Sequence, residues 1–337
     1  MVQPNSSHTV HHQHATIRLQ TPDPDNTPEL RAMFAPPACL EVLERQVALH
    51  DIRTDPNVIH GPEGLDKQGF AYIKHTSPLV TEDDYFTGTT VEDVYIPEIK
   101  ALAMQVLGAK RVAVYNVGVR RKPASKARAD PKFYWKRGEM MDKEIAEKPK
   151  YTSVWLGGQT LEKSLEAVRF AHIDNTVAGL RKLVRYGPAR LVEAAKDSVE
   201  KEDSGADEAP RYAAFSIWRP IKPVKRDPLA VCDWRTLDPE HELATFDFRT
   251  RSSVNESGEF IMQGYYVVPS KTKPTQQKWY WLPEQQADEV LFIKLADTQS
   301  EVDASVALGS PHVSLGLEGM EAEEPRNSIE CRITAFW

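Results

Sequence analysis

Cysteine is scarce in this chain: Cys39, Cys232 and Cys331 are the only three in 337 residues, far apart and with no CxxC pair. That excludes a disulfide scaffold and a thiolate zinc module, and it makes a reducing, cytoplasmic compartment the expectation. Long apolar runs are missing as well, since nothing approaches the roughly 18 residues of a membrane-spanning helix. The opening MVQPNSSHTVHHQHAT has no apolar centre, so a secretory signal is not expected there. Positive charge is not in excess. Forty-two lysines and arginines against 49 aspartates and glutamates leave a formal net charge of −7, which argues against nucleic acid or an anionic membrane as partner. No GxGxxG follows a strand-like run, and neither a P-loop nor a GxSxG occurs. Dinucleotide, nucleoside triphosphate and serine-hydrolase chemistry are therefore unsupported.

What is present fits a globular chain with a sizeable core, 41% apolar and 9% aromatic. The length suggests about two domains, or one large β-rich domain. Residues 1–30 are polar and bear prolines, and they read as a flexible N-terminal arm; His8, His11, His12 and His14 read as part of a solvated tail. FAYIKHT, from Phe70, alternates like a strand, and RVAVYNVGVR (111–120) does the same. Between them IPEIKALAMQVLGA has helical spacing, with Pro97 near its start and Gly108 at its end. Two loop inserts are expected, a basic one near 120–137 and an acidic one near 196–210. The segment before the second reads as helical turns broken at Gly187-Pro188. From residue 211 onward short strands alternate with turn residues. The expectation is a mainly β protein, an antiparallel sandwich or jelly roll with flanking helices, formed as a single domain over 31–337.

Three features carry chemistry. In His172-Ile173-Asp174 the imidazole and the carboxylate stand two residues apart, and on an extended strand they share a face. His312 lies on a late strand, PHVSL. Arg326-Asn327-Ser328 opens the last strand, where Arg326 and Ser328 again share a face. Two histidines and one carboxylate on one side of a metal, with three positions open, is the facial arrangement of non-haem Fe(II) oxygenases. The open positions must accept a chelating cosubstrate and then dioxygen. An Arg-x-Ser beyond the distal histidine can hold a remote carboxylate by charge-assisted hydrogen bonds, so a dicarboxylate such as 2-oxoglutarate fits. The competing reading makes His172 and His312 ordinary structural histidines and pairs Arg326 with Glu324 or Glu330.

Other residues weigh less. His241 is the rival third ligand, but it lies in a polar segment with no Arg-x-Ser after it. Lys74, Arg120 and Arg121 could bind a substrate carboxylate or lie on the surface. Tyr280 could line a pocket, facing away from Trp279 and Trp281, or pack a β-sandwich core.

Several long segments, in order, carry a resemblance: GLDKQGFAYIKHTSPL, the VRR at 119–121, HID, WRPIKPVKRDPLAVCD, WYWLPEQQADEVLFIK, PHVSL and RNSIECR. Over residues 60–337 the chain resembles the fungal hydroxylase/desaturase family, which includes gibberellin desaturase and aspergillic-acid-type hydroxylases. The resemblance implies a double-stranded β-helix, Fe(II) on His172, Asp174 and His312, and 2-oxoglutarate on Arg326 and Ser328. Dioxygen would be the second cosubstrate, with hydroxylation, desaturation or oxidative cyclisation of a small natural-product intermediate and release of succinate and CO2. Two departures from the family's pattern touch the substrate pocket: Tyr115-Asn116-Val117 where Asp-His is common, and Ser216 where asparagine is common. The alternatives are a methyltransferase or accessory subunit of a natural-product pathway, and a non-catalytic jelly-roll binding module. A homodimer is compatible with the chain.

Overall fold

Alternation of apolar and polar residues builds most of this molecule. The structure, a computed structural model, describes residues 14–123, 130–139, 142, 154–158, 165–205 and 210–337. Among these, the strands form two sheets. The eight-stranded sheet runs β1 (His14–Pro22), β2 (Cys39–Asp51), β12 (Trp279–Trp281), β9 (Leu229–Cys232), β14 (His312–Ser314), β7 (His172–Ile173), β11 (Glu259–Val267) and β10 (Leu243–Arg251). The other runs β3 (Phe70–Lys74), β13 (Glu289–Asp297), β8 (Tyr212–Pro220), β15 (Ser328–Phe336), β4 (Arg111–Lys122) and β5 (Trp155–Gly157), and β6 (Leu165–Glu166) also pairs with β4. Among the described residues six α-helices flank them: α1 (Pro62–Lys67), α2 (Glu82–Phe86), α3 (Ile96–Leu107), α4 (Val177–Tyr186), α5 (Ala189–Asp203) and α6 (Pro239–Glu242). This is the jelly-roll core with flanking helices that the strand pattern implies.

Each sheet buries both faces. Val231 of β9, Tyr280 of β12 and Met262 of β11 meet Tyr115 of β4, Trp218 of β8 and Ile293 of β13 in an apolar cluster between the sheets. The outer face of the second sheet, with Val117, Ile217, Phe292 and Ile333, is covered by Ile96, Ile99 and Leu102 of α3. α3 follows a π-helical turn (Val91–Tyr95) and ends where Gly108 takes a left-handed conformation at φ 61°. Trp279 and Trp281 lie on the far face of the first sheet with Ile17 and Leu19 of β1, so Tyr280 does point away from the tryptophans, into the core.

Three expectations need correction. Residues 14–22, read as part of a loose arm, form β1. Ala15, Ile17 and Leu19 alternate and are buried, and the strand pairs with β2 along its length. Residues 1–13 lie outside the described residues, and His8, His11 and His12 with them. The acidic insert is helical up to Asp203. Its charges sit on a helix whose buried stripe, Leu191, Ala195 and Ser198, has helical spacing. Glu202 is anchored there, accepting from Arg181 at 2.7 Å, from Arg185 at 2.9 Å and from the Tyr212 hydroxyl at 2.9 Å. The polar segment around His241, for which a loop was expected, is divided between α6 and β10. Of the basic insert, Arg120–Lys122 belong to β4 and residues 124–129 lie outside the described residues. The helical break at Gly187-Pro188 separates α4 from α5.

Candidate metal centre

The site begins with a strand register. β7 and β14 are antiparallel neighbours in which His172 and His312 stand directly opposite each other. Opposed residues on one sheet face bring their side chains together, and the two imidazole centroids are 4.4 Å apart. Asp174 follows immediately after β7. The chain then turns into α4, whose N-cap Thr176 accepts from the Gly179 amide at 2.8 Å. One ligand atom from each of His172, Asp174 and His312 lies within 4.8 Å of the other two.

Hydrogen bonds choose the tautomers. His172 Nδ1 lies 2.9 Å from the Phe170 carbonyl and His312 Nδ1 lies 3.1 Å from the Ser310 carbonyl. A carbonyl only accepts, so both Nδ1 atoms carry a proton and Nε2 is left as the ligand atom of each imidazole. Burial, with the neighbouring His172, pushes His312 down to about 4, so it is neutral near pH 7. Burial alone would raise Asp174, but Arg332 and His172 outweigh it and hold the carboxyl well below its usual range. A carboxylate and two imidazoles, with one ligand atom of each gathered within 4.8 Å, suit a divalent transition metal.

The cosubstrate end lies deeper. Arg326 is buried, and its NH1 donates to the Asp227 carbonyl at 2.8 Å and to Ser314 Oγ at 3.1 Å. Its guanidinium sits 5.4 Å from the Trp218 ring centroid. Arg326 Nε, Ser328 Oγ and Trp218 Nε1 are all buried with no hydrogen-bond partner. Buried donors without acceptors are costly, and a carboxylate would satisfy them. Burial, then the nearby Arg120, push Arg326 down to about 9. The site is thus short of negative charge, and the donor set fits the distal end of a dicarboxylate. Arg326, Arg120 and both histidines line the same cavity.

Residues 20–336 match the family described as "Oxidoreductase/YMDC permease-like domain". The gibberellin cluster GA4 desaturase of Gibberella fujikuroi is 32% identical over 311 residues, which cover 87% of each chain. The chain belongs to this family of fungal hydroxylases and desaturases. The Fe(II)/2-oxoglutarate-dependent dioxygenase nvfI of Aspergillus novofumigatus is 26% identical over 301 residues, 86% of this chain and 83% of its own length. A solved structure of the iron and alpha-ketoglutarate-dependent endoperoxidase NvfI superposes with a TM-score of 0.63 at 20% identity, covering 96% of this chain and 98% of that one; the likeness is one of fold. The protein is an enzyme, an oxygenase of the iron(II)/2-oxoglutarate-dependent class that acts on a small molecule. No helix among the described residues is long and apolar enough to cross a membrane.

The remaining sequence candidates fall in different places. Arg120 lines the cavity and donates to the Glu166 carbonyl at 2.6 Å. Arg121, the next residue on β4, pairs with Glu82 at 2.5 Å and lies over the Phe86 ring. Lys74 is exposed and pairs with Asp288 at 3.0 Å. Tyr280 packs on His50 and Phe70, with its hydroxyl buried and unpartnered. None of Arg121, Lys74 and Tyr280 is among the residues lining the cavity. His241 is on α6, beside Asp238 at 3.2 Å. Sequence reasoning missed Arg332 and considered Glu330 only as a pair for Arg326. Both come from β15, where Ser328, Glu330, Arg332 and Thr334 alternate with Ile329, Cys331, Ile333 and Ala335. That alternation placed them on one face and left open that the face is internal.

Proposed function

We propose that His172, Asp174 and His312 hold Fe(II), that Arg326 with Ser328 anchors the distal carboxylate of 2-oxoglutarate, and that the enzyme hydroxylates, desaturates or oxidatively cyclises a small natural-product intermediate. One observation carries the reading: the two histidines of a His-Asp-His cluster with ligand atoms within 4.8 Å share a cavity with an arginine that has a buried, unpartnered donor. When bound, the ferrous ion and keto acid supply the means to use dioxygen against an unactivated C–H bond, with succinate and CO2 as coproducts. The residues of this chain do the rest. Nδ1 anchoring to the Phe170 and Ser310 carbonyls keeps both Nε2 lone pairs on the metal side. Arg326 and Ser328 fix the length and direction of the cosubstrate. Trp218 and Leu229, also on the cavity wall, exclude water from the reacting centre. Arg120 is the candidate for an anionic group of the substrate, because it alone of the weaker candidates reaches the cavity.

The test is an anaerobic titration of metal-free protein with Fe(II) and 2-oxoglutarate, read by the visible charge-transfer band of a chelated keto acid. A saturable band, lost in His312→Ala, supports the reading. Absence of the band in folded, iron-loaded wild type overturns it and brings forward a methyltransferase or a binding module. We further propose that the enzyme is cytoplasmic, resting on its three buried, unpaired cysteines. A homodimer is proposed on the sequence alone; a monomeric mass in light scattering would exclude it.

A further inference from the structure

A part-buried polar network outside the sequence motifs is centred on Arg332. Its guanidinium is engaged on every side. Nε donates to Asp174 Oδ2 at 2.7 Å, NH1 donates to Asn116 Oδ1 at 3.0 Å, and NH2 lies 3.2 Å from Glu330 Oε1. Glu330 is itself fixed, accepting from Ser216 Oγ at 2.7 Å with Arg120 NH2 at 3.8 Å from its other oxygen. Asn116 and Ser216 stand opposite Arg332 on the two neighbouring strands, β4 and β8. Asn116 lies within the Tyr115-Asn116-Val117 stretch, and Ser216 is the other place, where the sequence departs from the family's pattern. Their side chains complete the cage around this arginine and its partner.

The consequence falls on Asp174. Of its two oxygens, Oδ2 is taken by Arg332, while Oδ1 lies 3.3 Å from His172 Nε2, on the side of the ligand cluster. A carboxylate free to rotate can bind a metal through both oxygens. A site that must keep three positions open for a chelating keto acid and dioxygen cannot lose one to a second carboxylate oxygen. We infer that Arg332 is a positioning residue that restricts Asp174 to one metal bond, held in register by Asn116 and Glu330. This deepens the proposed function and rests on it. An ammonium could not substitute, because a lysine has one nitrogen to serve three acceptors spread around a planar fork.

The experiment measures binding on the full-length protein, with no turnover required. Co(II) affinity and the Co(II) d–d spectrum are recorded for wild type, Arg332→Met, Arg332→Lys and Asn116→Ala, together with the position and saturation of the Fe(II)–2-oxoglutarate band. Partners that orient metal ligands typically contribute about 10–100-fold in metal affinity. Arg332→Met is expected to weaken Co(II) binding by about that factor, to change the d–d intensity that reports coordination number, and to shift or weaken the keto-acid band. Arg332→Lys should show the same changes in smaller measure, and Asn116→Ala, which leaves the Asp174 contact in place, smaller still. A purely structural role would lower the melting temperature of the metal-free protein and leave affinity and spectra alone. Should Arg332→Met not fold, Arg332→Lys decides, since it retains a buried cation for Glu330. Affinity within twofold of wild type and an unshifted band in a folded Arg332 variant overturn the inference while leaving the proposed function standing. If wild type gives no band, both fall.

Discussion

Replacing Arg326 with alanine isolates the cosubstrate anchor from the metal. In the free enzyme the guanidinium makes two hydrogen bonds through NH1 and leaves Nε buried without an acceptor. A carboxylate placed there gains at least one charge-assisted hydrogen bond, worth about 1.5–3 kcal/mol. It also gains the attraction of a cation that burial has left under-solvated. The loss on Arg326→Ala is then about 2–4 kcal/mol, which at about 1.4 kcal/mol per decade is roughly 30- to 700-fold in the Kd of 2-oxoglutarate. Ser328→Ala removes a neutral partner and should cost about 1 kcal/mol, or roughly fivefold. The metal site should be untouched, because the hydrogen bonds of Arg326 go to the Asp227 carbonyl and Ser314 Oγ and not to any of the three ligands. The assay is the anaerobic charge-transfer titration, with Co(II) affinity measured in parallel. Folding should survive, since the variant removes a cation that is costly to bury. A 2-oxoglutarate Kd within threefold of wild type, in a protein that still binds metal, would refute the assignment of Arg326.

Three further outcomes are expected. His172→Ala should reduce metal affinity by more than the roughly 100-fold seen for outer partners, with an unchanged far-UV spectrum; wild-type Co(II) binding in this variant would sink the ligand set. Gly264→Ala should damage the site from the strand beneath it. A Cβ there would stand 2.8 Å from the Asp174 carbonyl and 3.0 Å from that of Ile173, both rigid backbone. We expect about 1–3 kcal/mol of lost stability together with weaker metal binding, read by denaturant unfolding and Co(II) titration; normal values for both would show that the segment yields freely. Glu289 should contribute acid sensitivity far from the site. Burial would raise its carboxyl, but Arg53, the Gln286 amide and Tyr72 outweigh it and bring it down to about 2. A depressed folded-state pKa gives stability that is complete above the unfolded value near 4.5 and lost as pH falls toward 2. After allowance for solvent screening this is about 1–2 kcal/mol. Urea midpoints at pH 6 and pH 3 should therefore converge in Glu289→Gln relative to wild type, and an equal drop in both proteins would remove Glu289 as the cause.

The sequence by itself determined the order of chemical parts: a His-x-Asp, a distal histidine, then an Arg-x-Ser at the start of the last strand. Those parts are legible because the spacing of two residues on an extended chain already sets which side chains share a face. It also determined the long regular elements, α3, β4, β8, β13 and β15, whose periodicity extends over several residues. Tertiary structure decided which strands become neighbours, and so which shared faces meet. The opposition of His172 and His312 is a register between β7 and β14, strands of two and three residues separated by more than a hundred positions. No local pattern encodes that register. β1 and β10 were missed because mixed polar strands at a sheet edge look like loops until the partner strand is known. The internal roles of Glu330 and Arg332 escaped notice for a related reason. An alternating strand normally turns its charged face to water, whereas β15 is packed on one face by α3 and closed on the other by the eight-stranded sheet. Its charges are inside, and burial without water is what drives them onto Asp174, Asn116 and Ser216 as partners.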